Sequence, residues 1–148
     1  MTFELTLSII KPDAVEQSRI GSILARLEEG GMGVAAIKML RMSHKQFEAM
    51  YGEHAGQPYY ADMMQYMTSG PAVFVVLAGE GAINRNRAVM GNTNPALAAP
   101  GTLRADFGTA GPQGAGACLR NAVHGSDSAE SARREIAFFF ERGEIYGA

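Results

Sequence analysis

The sequence has a single cysteine, only three lysines and no long apolar run, and each shortage excludes a class of site or protein. Because Cys118 is alone, no intrachain disulfide can form, and a cysteine-based zinc site is not expected. The longest uninterrupted apolar run, Ala72 to Ala78, is far shorter than the ~20 residues that cross a bilayer. The first residues lack a basic stretch followed by an apolar one, so we expect no secretion signal.

The charge and the length limit the function further. Thirteen basic against fifteen acidic residues give a net charge of −2, which disfavours general binding to nucleic acid. A chain of 148 residues with 47% apolar side chains can bury a sizeable core, roughly 68–70% of its unfolded surface. We therefore expect a soluble, cytoplasmic protein of one domain, residues 1–148, that binds neither nucleic acid nor membrane.

The hydrophobic pattern predicts an α+β fold. Strands are predicted at 5–10, 34–42, 72–78 and about 118–124, and helices from Pro12 through Leu27, from Ser43, at 59–67, at 82–90 and after a capping pair of Asp127 and Glu130. This order is typical of a ferredoxin-like split βαβ sandwich, a four-stranded antiparallel sheet covered by helices. A Gly-rich stretch around 108–117 is predicted to be a mobile surface insert.

Two nucleotide-binding motifs do not apply to this sequence. Asp106-Phe107-Gly108 matches the metal-binding tripeptide of protein kinases, but no His-Arg-Asp loop accompanies it. A phosphate-binding loop of the Gly-Lys-Ser/Thr type is excluded, because Lys11, Lys38 and Lys45 all lie in other contexts.

His124 is the most informative residue. It lies where a predicted strand ends, before Gly125, Ser126 and Asp127, and Glu135 follows on the next helix. A histidine held on one ring nitrogen by a carboxylate or hydroxyl keeps its other nitrogen free as base, ligand or nucleophile. Spacing alone leaves open the alternative of a structural histidine that caps the helix. His44 and His54 lack such neighbours and are expected to be solvated.

Cations that can bind phosphate form the second feature. Ten of the thirteen basic residues are arginine, whose planar guanidinium binds phosphate through two hydrogen bonds. Arg87, Thr93 and Arg104 are close enough in sequence to converge on one cleft, although ordinary surface ion pairs remain the alternative. Lys11 ends an apolar strand, a position that favours a functional role.

Aromatic and methionine side chains between 51 and 67 admit two interpretations. Tyr51, Tyr59 and Tyr60 flank a loop and can stack on a nucleobase, but packing in the core explains them nearly as well. Met63 and its neighbours Met64 and Met67 are most simply core or interface residues.

With these residues together, the chain resembles nucleoside diphosphate kinase. The resemblance runs from the first strand to the last helix and is carried by Thr6-Leu-Ser-Ile-Ile-Lys-Pro-Asp-Ala-Val15, Thr68-Ser-Gly-Pro71, Met90-Gly-Asn-Thr-Asn-Pro95, Gly101-Thr-Leu-Arg-Ala-Asp-Phe107 and Asn121-Ala-Val-His-Gly-Ser-Asp-Ser-Ala-Glu-Ser131. The Gly-rich stretch makes the chain longer than expected for the family between Arg104 and Asn121, and the C-terminal tail also diverges.

The resemblance implies transfer of the γ-phosphate of a nucleoside triphosphate, typically ATP, to nucleoside or deoxynucleoside diphosphates by a ping-pong mechanism. It implies a phosphohistidine on Nδ1 of His124, Mg²⁺ carried by the nucleotide phosphates rather than by protein ligands, and a homo-oligomer (dimer, tetramer or hexamer). The implied supporting residues are Glu135 and Ser126 beside the histidine, Lys11 and Tyr51 at the transferred phosphate, Arg87, Thr93 and Arg104 at the other phosphates, Asn121 at the sugar, and Tyr59 and Met63 at the base.

Two other functions are weighed against this one. The first is a nucleotide-binding or scaffolding protein whose insert blocks turnover, and the second is a histidine-based phosphatase or nucleotidyl hydrolase. All the matched residues are present, which favours the kinase.

Overall fold

A computed structural model describes residues 2–109, 111 and 116–147. In these residues the strands are β1 (Phe3–Ile10), β2 (Gly33–Leu40), β3 (Ala72–Glu80) and β4 (Val123–Gly125). The α-helices are α1 (Pro12–Glu16), α2 (Ile20–Glu29), α3 (His44–Tyr51), α4 (Tyr60–Met67), α5 (Ala82–Met90), α6 (Leu103–Phe107) and α7 (Ala129–Phe139). Short 3₁₀ turns lie at Gly52–His54, Pro95–Leu97 and Arg142–Glu144.

The four strands form one sheet in the order β2-β3-β1-β4, and every neighbouring pair is antiparallel. Leu7 pairs with Val76 at the centre, and Ile9 pairs with His124 at the edge. The predicted α+β fold with a four-stranded antiparallel sheet is confirmed. Because β1 is a central strand, its last residue, Ile10, pairs with the short edge strand that carries His124, and Lys11 follows directly.

Helices cover both faces of the sheet. On one face Leu7 and Ile9 pack with Phe74 of β3 and Phe139 of α7, and all four are buried. On the other face the core consists of alternate strand residues and apolar residues of α2, α5 and α6, among them Ile10, Val75, Leu77, Ile23, Leu27, Met90 and Leu103. Both central strands are therefore buried on both sides, which explains the continuous apolar run of β3. In β1, Thr6 and Ser8 are buried as well.

Several predicted elements have different bounds. The helix predicted from Pro12 is two helices, because Ser18 has a φ of 61°, outside the right-handed helical region. The strand predicted at 118–124 is only Val123–Gly125. The last helix is capped by Ser128, whose Oγ accepts from Ser131 N at 3.0 Å, so the predicted capping pair of Asp127 and Glu130 is wrong.

Other local predictions are confirmed. Ser43 caps α3 and forms a capping box with Gln46, and α5 has the predicted bounds. No helix in the described part of the chain is long and apolar enough to cross a membrane. Of the predicted insert, 108–117, residues 110 and 112–115 lie outside the described residues. Thr109, near its start, and Arg120, after its end, pair through two backbone hydrogen bonds of 2.7 and 3.2 Å.

Candidate active site

His124 is held on one side of its ring. Its Nε2 lies 2.7 Å from Glu135 Oε1, and Ser126 Oγ donates to the same oxygen at 2.8 Å. Leu7 N in turn donates to Ser126 Oγ at 3.3 Å. Because a carboxylate accepts hydrogen bonds, Nε2 carries the proton and Nδ1 keeps its lone pair. Among the described residues no hydrogen bond occupies Nδ1.

Glu135 is charged and almost completely buried. It lies on α7, which packs on β1, and only 7% of the residue is exposed. Burial alone would raise the pKa of its carboxyl, but the hydrogen bonds from His124 and Ser126 outweigh burial and hold that pKa below its usual value. The side chain therefore remains a carboxylate, able to orient the imidazole and to stabilise positive charge on it.

Tyr51 approaches the histidine from α3. Its ring meets the His124 ring edge-on, with the centroids 6.2 Å apart and the planes at 85°. Its hydroxyl is buried and has no hydrogen-bond partner in the described residues, and burial together with nearby Glu135 raises its pKa. A buried hydroxyl without a partner is costly, so this donor fits a ligand that binds beside His124.

Lys11, Asn121 and Thr93 are connected by hydrogen bonds. Lys11 Nζ donates to Asn121 Oδ1 at 2.8 Å, and Asn121 Nδ2 donates to Thr93 O at 3.0 Å. Burial, and then the nearby charge of Arg104, lowers the pKa of Lys11 to about 8. The ammonium group is therefore poorly solvated and close to another cation, an environment that an anionic ligand would stabilise.

Lys11 and Asn121 line a cavity of about 290 Å³ that also contacts Tyr59, Met63 and Thr93. Its lining is mainly apolar and aromatic, with polar groups at one end, which suits a heterocyclic base and its sugar. His54 was expected to be solvated, but its Nδ1 lies 2.8 Å from the Tyr59 hydroxyl. His44 is exposed, as expected.

A second cavity of about 210 Å³ is lined by Arg87, Thr93 and Arg104 together with Gly91. Arg104 donates to Gly91 O at 3.2 Å and to Val123 O at 3.0 Å, which connects it to the strand of His124. Burial and the charge of Arg87 lower the pKa of Arg104 to about 10. Since Thr93 lines both cavities, the first, mainly apolar cavity adjoins the second, where Arg87 and Arg104 lie.

A larger cavity, about 750 Å³, lies elsewhere, between the start of β1 and the outer side of α7. The described residues around it include Ile83, Arg133 and Phe140. It is mainly apolar, and neither Lys11, Asn121 nor Arg104 lines it. The two smaller cavities are lined by these residues, and Arg104 bonds to the strand of His124, so they are the better candidate site.

Four residues that were not among the predicted site residues also shape the site. Asp62 accepts from Arg120 at 2.9 Å and from Cys118 N at 2.8 Å, and the Arg120 guanidinium lies 4.4 Å from the centre of the Tyr66 ring. Tyr66 also donates a hydrogen bond to Asp13. Of these residues only Asp13 had a sequence signal, because it follows Lys11-Pro12.

Comparison with known proteins agrees with this geometry. The family model described as nucleoside diphosphate kinase matches residues 4–145. The nucleoside diphosphate kinase of Legionella pneumophila strain Philadelphia 1 is 52% identical over 145 residues, 98% of each chain. Nucleoside diphosphate kinase 2 of Protochlamydia amoebophila is 49% identical over 98% of this chain and 96% of its own.

Solved structures give the same result. The crystal structure of the Aquifex aeolicus nucleoside diphosphate kinase has a TM-score of 0.88 and 41% identity over 97% of this chain and 99% of its own. A transition-state mimic of the Borrelia burgdorferi enzyme, with bound vanadate and ADP, has a TM-score of 0.88 and 28% identity over 99% of this chain and 92% of its own.

The fold and the site thus define a nucleotide phosphotransferase. The chain belongs to the nucleoside diphosphate kinase family, and its activity is transfer of a phosphoryl group from a nucleoside triphosphate to a nucleoside diphosphate.

Proposed function

We propose that His124 is the nucleophile of this reaction and that Nδ1 receives the phosphoryl group. The observation that carries the proposal is the 2.7 Å contact between Nε2 and Glu135, which leaves Nδ1 as the nitrogen with a free lone pair. Tyr51, whose ring meets the His124 ring edge-on and whose hydroxyl has no partner in the described residues, supports the same conclusion. So does Arg104, a cation that donates to Val123 O next to His124 and can bind a phosphate.

The reaction proceeds in two half-reactions. In the first, the Nδ1 lone pair forms a bond to the γ-phosphorus while the bond to the β–γ bridging oxygen breaks, and the nucleoside diphosphate leaves with that electron pair. The ring then carries the phosphoryl group, and its Nε2–H remains hydrogen-bonded to Glu135, which stabilises the positive charge of the ring. In the second, a β-phosphate oxygen of the acceptor attacks the same phosphorus, and the lone pair returns to Nδ1.

The remaining site residues bind and orient the nucleotide in this proposal. Lys11 and Tyr51 contact the transferred phosphate, and Ser126 helps Glu135 to hold the ring. Arg87, Thr93 and Arg104 bind the other phosphates, Asn121 binds the sugar, and Tyr59 stacks on the base with Met63 beside it. Stacking does not distinguish bases, which suits broad nucleotide specificity.

We propose that Mg²⁺ would enter the site with the nucleotide, held by its phosphate oxygens rather than by protein ligands, and would neutralise phosphate charge there. ATP and nucleoside diphosphates are accordingly the proposed partners, and the cytoplasm, where these are abundant, is the proposed location.

We also propose that the whole chain, 1–148, is one catalytic domain that assembles into a homo-oligomer. The family model covers residues 4–145, which supports a single domain. The edge strand β2 exposes Val34, Ile37 and Met39, which supports association of several copies.

Labelling with ATP that carries radioactive γ-phosphate tests the proposal. The protein should become labelled, the label should be stable to alkali and labile to acid, and added diphosphate should remove it. His124→Ala should abolish labelling, and His44→Ala, which changes an exposed histidine on α3, should label normally. Equal labelling of the His124 variant would contradict the assignment, and nucleotide binding without labelling of the unmodified protein would favour a non-catalytic role.

A further inference from the structure

The chain makes a strained turn directly before β4, the strand that carries His124. Ala122 has a φ of +70° and is completely buried, and Val123 N donates to Asn121 O at 2.8 Å. A hydrogen bond between residues i and i+2 around a residue of positive φ defines a γ-turn of the rare, strained type. Such a backbone persists only where neighbouring groups stabilise it.

Two groups from the start of α1 stabilise the turn. The Asp13 carboxylate accepts a hydrogen bond from Ala122 N at 3.2 Å, and Lys11 N donates to Ala122 O at 2.8 Å. The second oxygen of Asp13 accepts from the Tyr66 hydroxyl, which fixes the orientation of the carboxylate. Both polar groups of the strained residue are thus bonded to one short segment, 11–13.

The turn places a nucleotide-binding residue on one side and the nucleophile on the other. Asn121 lies before it and bonds to Lys11 Nζ and Thr93 O. His124 lies after it, two residues beyond Ala122, in the short strand that pairs with β1. If the backbone of Ala122 relaxed to negative φ, the direction of the chain would change between these two side chains.

We propose that Asp13 is a positioning residue for phosphoryl transfer: its carboxylate stabilises the γ-turn at Ala122 and thereby sets His124 relative to the nucleotide bound at Lys11 and Asn121. The inference rests on the proposed role of His124 as nucleophile. A shift of about 1 Å in a reacting atom can lower a rate about a hundredfold, so a backbone hydrogen bond outside the reacting centre can affect the chemistry strongly.

The test is the rate of His124 phosphorylation by ATP in a single turnover, at about pH 6.5, where Lys11 remains protonated. Asp13→Ala should lower this rate about tenfold or more at a temperature where circular dichroism shows a folded protein. Glu16→Ala is the matched control, because it removes an exposed carboxylate from the same short helix, and it should retain the rate of the unmodified protein.

A second substitution distinguishes positioning from general destabilisation. Glycine adopts positive φ without steric cost, so Ala122→Gly introduced into Asp13→Ala should recover much of the lost rate. Asp13→Asn, which can still accept from Ala122 N, should stay within about threefold of the unmodified protein. Should the Ala variant not fold, Asp13→Ser, too short to reach the amide, takes its place in the same comparison.

An unchanged rate in Asp13→Ala, no recovery on adding Ala122→Gly, or an Asn variant as slow as the Ala variant would each overturn the inference. These results differ from failure of the proposed function, in which the unmodified protein itself would not be phosphorylated on His124.

Discussion

At the scale of single residues, the site is a group of cations gathered before any anion is bound. Burial and neighbouring positive charge lower the pKa of Lys11 to about 8 and that of Arg104 to about 10. Phosphoryl transfer develops negative charge on the equatorial oxygens, so fixed donors that need no rearrangement stabilise its transition state. The mutual repulsion of these cations is relieved when a polyphosphate binds.

Lys11 leads to a prediction about pH. Its pKa is lowered, so the ammonium group is charged below about pH 8 and becomes neutral as the pH rises through that value. Because kcat/KM reports ionisation of the free enzyme, kcat/KM for the nucleotide should fall as the pH increases beyond about 8. Initial rates at low nucleotide concentration, measured from acid to alkaline pH, check this.

Lys11→Arg is the control for that profile. A guanidinium does not lose its proton in this range, so the variant, whatever its activity, should lack the fall near pH 8. The same fall in both proteins would assign it to another group.

Contacts between neighbouring elements were easier to anticipate from the sequence than contacts between distant segments. Glu135, on the helix after His124, was expected to be able to reach back to a ring nitrogen, and the two side chains lie 2.7 Å apart. The interaction of Asp13 with Ala122 joins residues more than a hundred positions apart, and that of His54 with Tyr59 depends on the path of a loop. Periodicity contains no information about either contact.

At the scale of secondary structure, β4 depends on close packing against α5. Gly125 follows His124 in this strand of three residues, and a Cβ at Gly125 would lie 2.5 Å from Met90 Sδ and still closer to Asn86 Nδ2. Asn86 and Met90 are themselves buried, at 0% and 2% exposure, so neither can move aside freely. Glycine thus allows the helix to approach the strand that carries His124, the proposed nucleophile.

Gly125→Ala should therefore destabilise the protein by about 1–3 kcal/mol, because the added methyl group overpacks a buried contact. It should also lower the rate of His124 phosphorylation, since the strand must shift. Urea unfolding and single-turnover labelling measure the two effects.

Gly21→Ala is the matched control for Gly125→Ala. Gly21 lies on α2 with nothing within 4 Å of an added Cβ, so alanine there should leave activity unchanged and stability equal or higher by up to about 1 kcal/mol. Equal loss of stability in both variants would contradict a specific role for the close contact between Gly125 and α5.

Elements with strong periodicity were predictable, and those interrupted by a single backbone conformation were not. The apolar run of β3 and the Ser43 cap of α3 identified their elements directly. The break at Ser18 and the γ-turn at Ala122 depend on positive φ in residues other than glycine, which hydrophobic periodicity does not reveal. The hydrogen bonds around Ser18 are local, whereas Ala122 is bonded to the distant segment 11–13. This is why the predicted last strand was too long.

At the scale of the whole molecule, one outer strand of the sheet carries exposed apolar side chains, although the C-terminal segment contacts its edge, where Tyr146 N donates to Ala35 O at 2.8 Å. β2 is an outer strand, and on it Ile37 is 49% and Met39 56% exposed. An edge strand with exposed apolar side chains favours pairing with another chain. We therefore expect the protein in solution to have the mass of two or more chains of 15.8 kDa each.

Sedimentation measures this mass. Ile37→Lys combined with Met39→Lys should reduce it, because two charges cannot be buried without partners. Leu97→Lys, which changes a residue 70% exposed on a different surface, should leave the mass unchanged. A mass of one chain for the unmodified protein, or equal masses for the β2 variant and the unmodified protein, would contradict association through this strand.

In the proposed mechanism, Glu135 holds Nε2 of His124 and so directs the phosphoryl group to Nδ1. The most direct measurement is nuclear magnetic resonance of protein labelled with ¹⁵N in its histidines, before and after phosphorylation by ATP. We predict that phosphorylation shifts the Nδ1 resonance of His124 and couples it to phosphorus, with Nε2 still protonated. A phosphoryl group on Nε2, or on any other residue, would contradict the account.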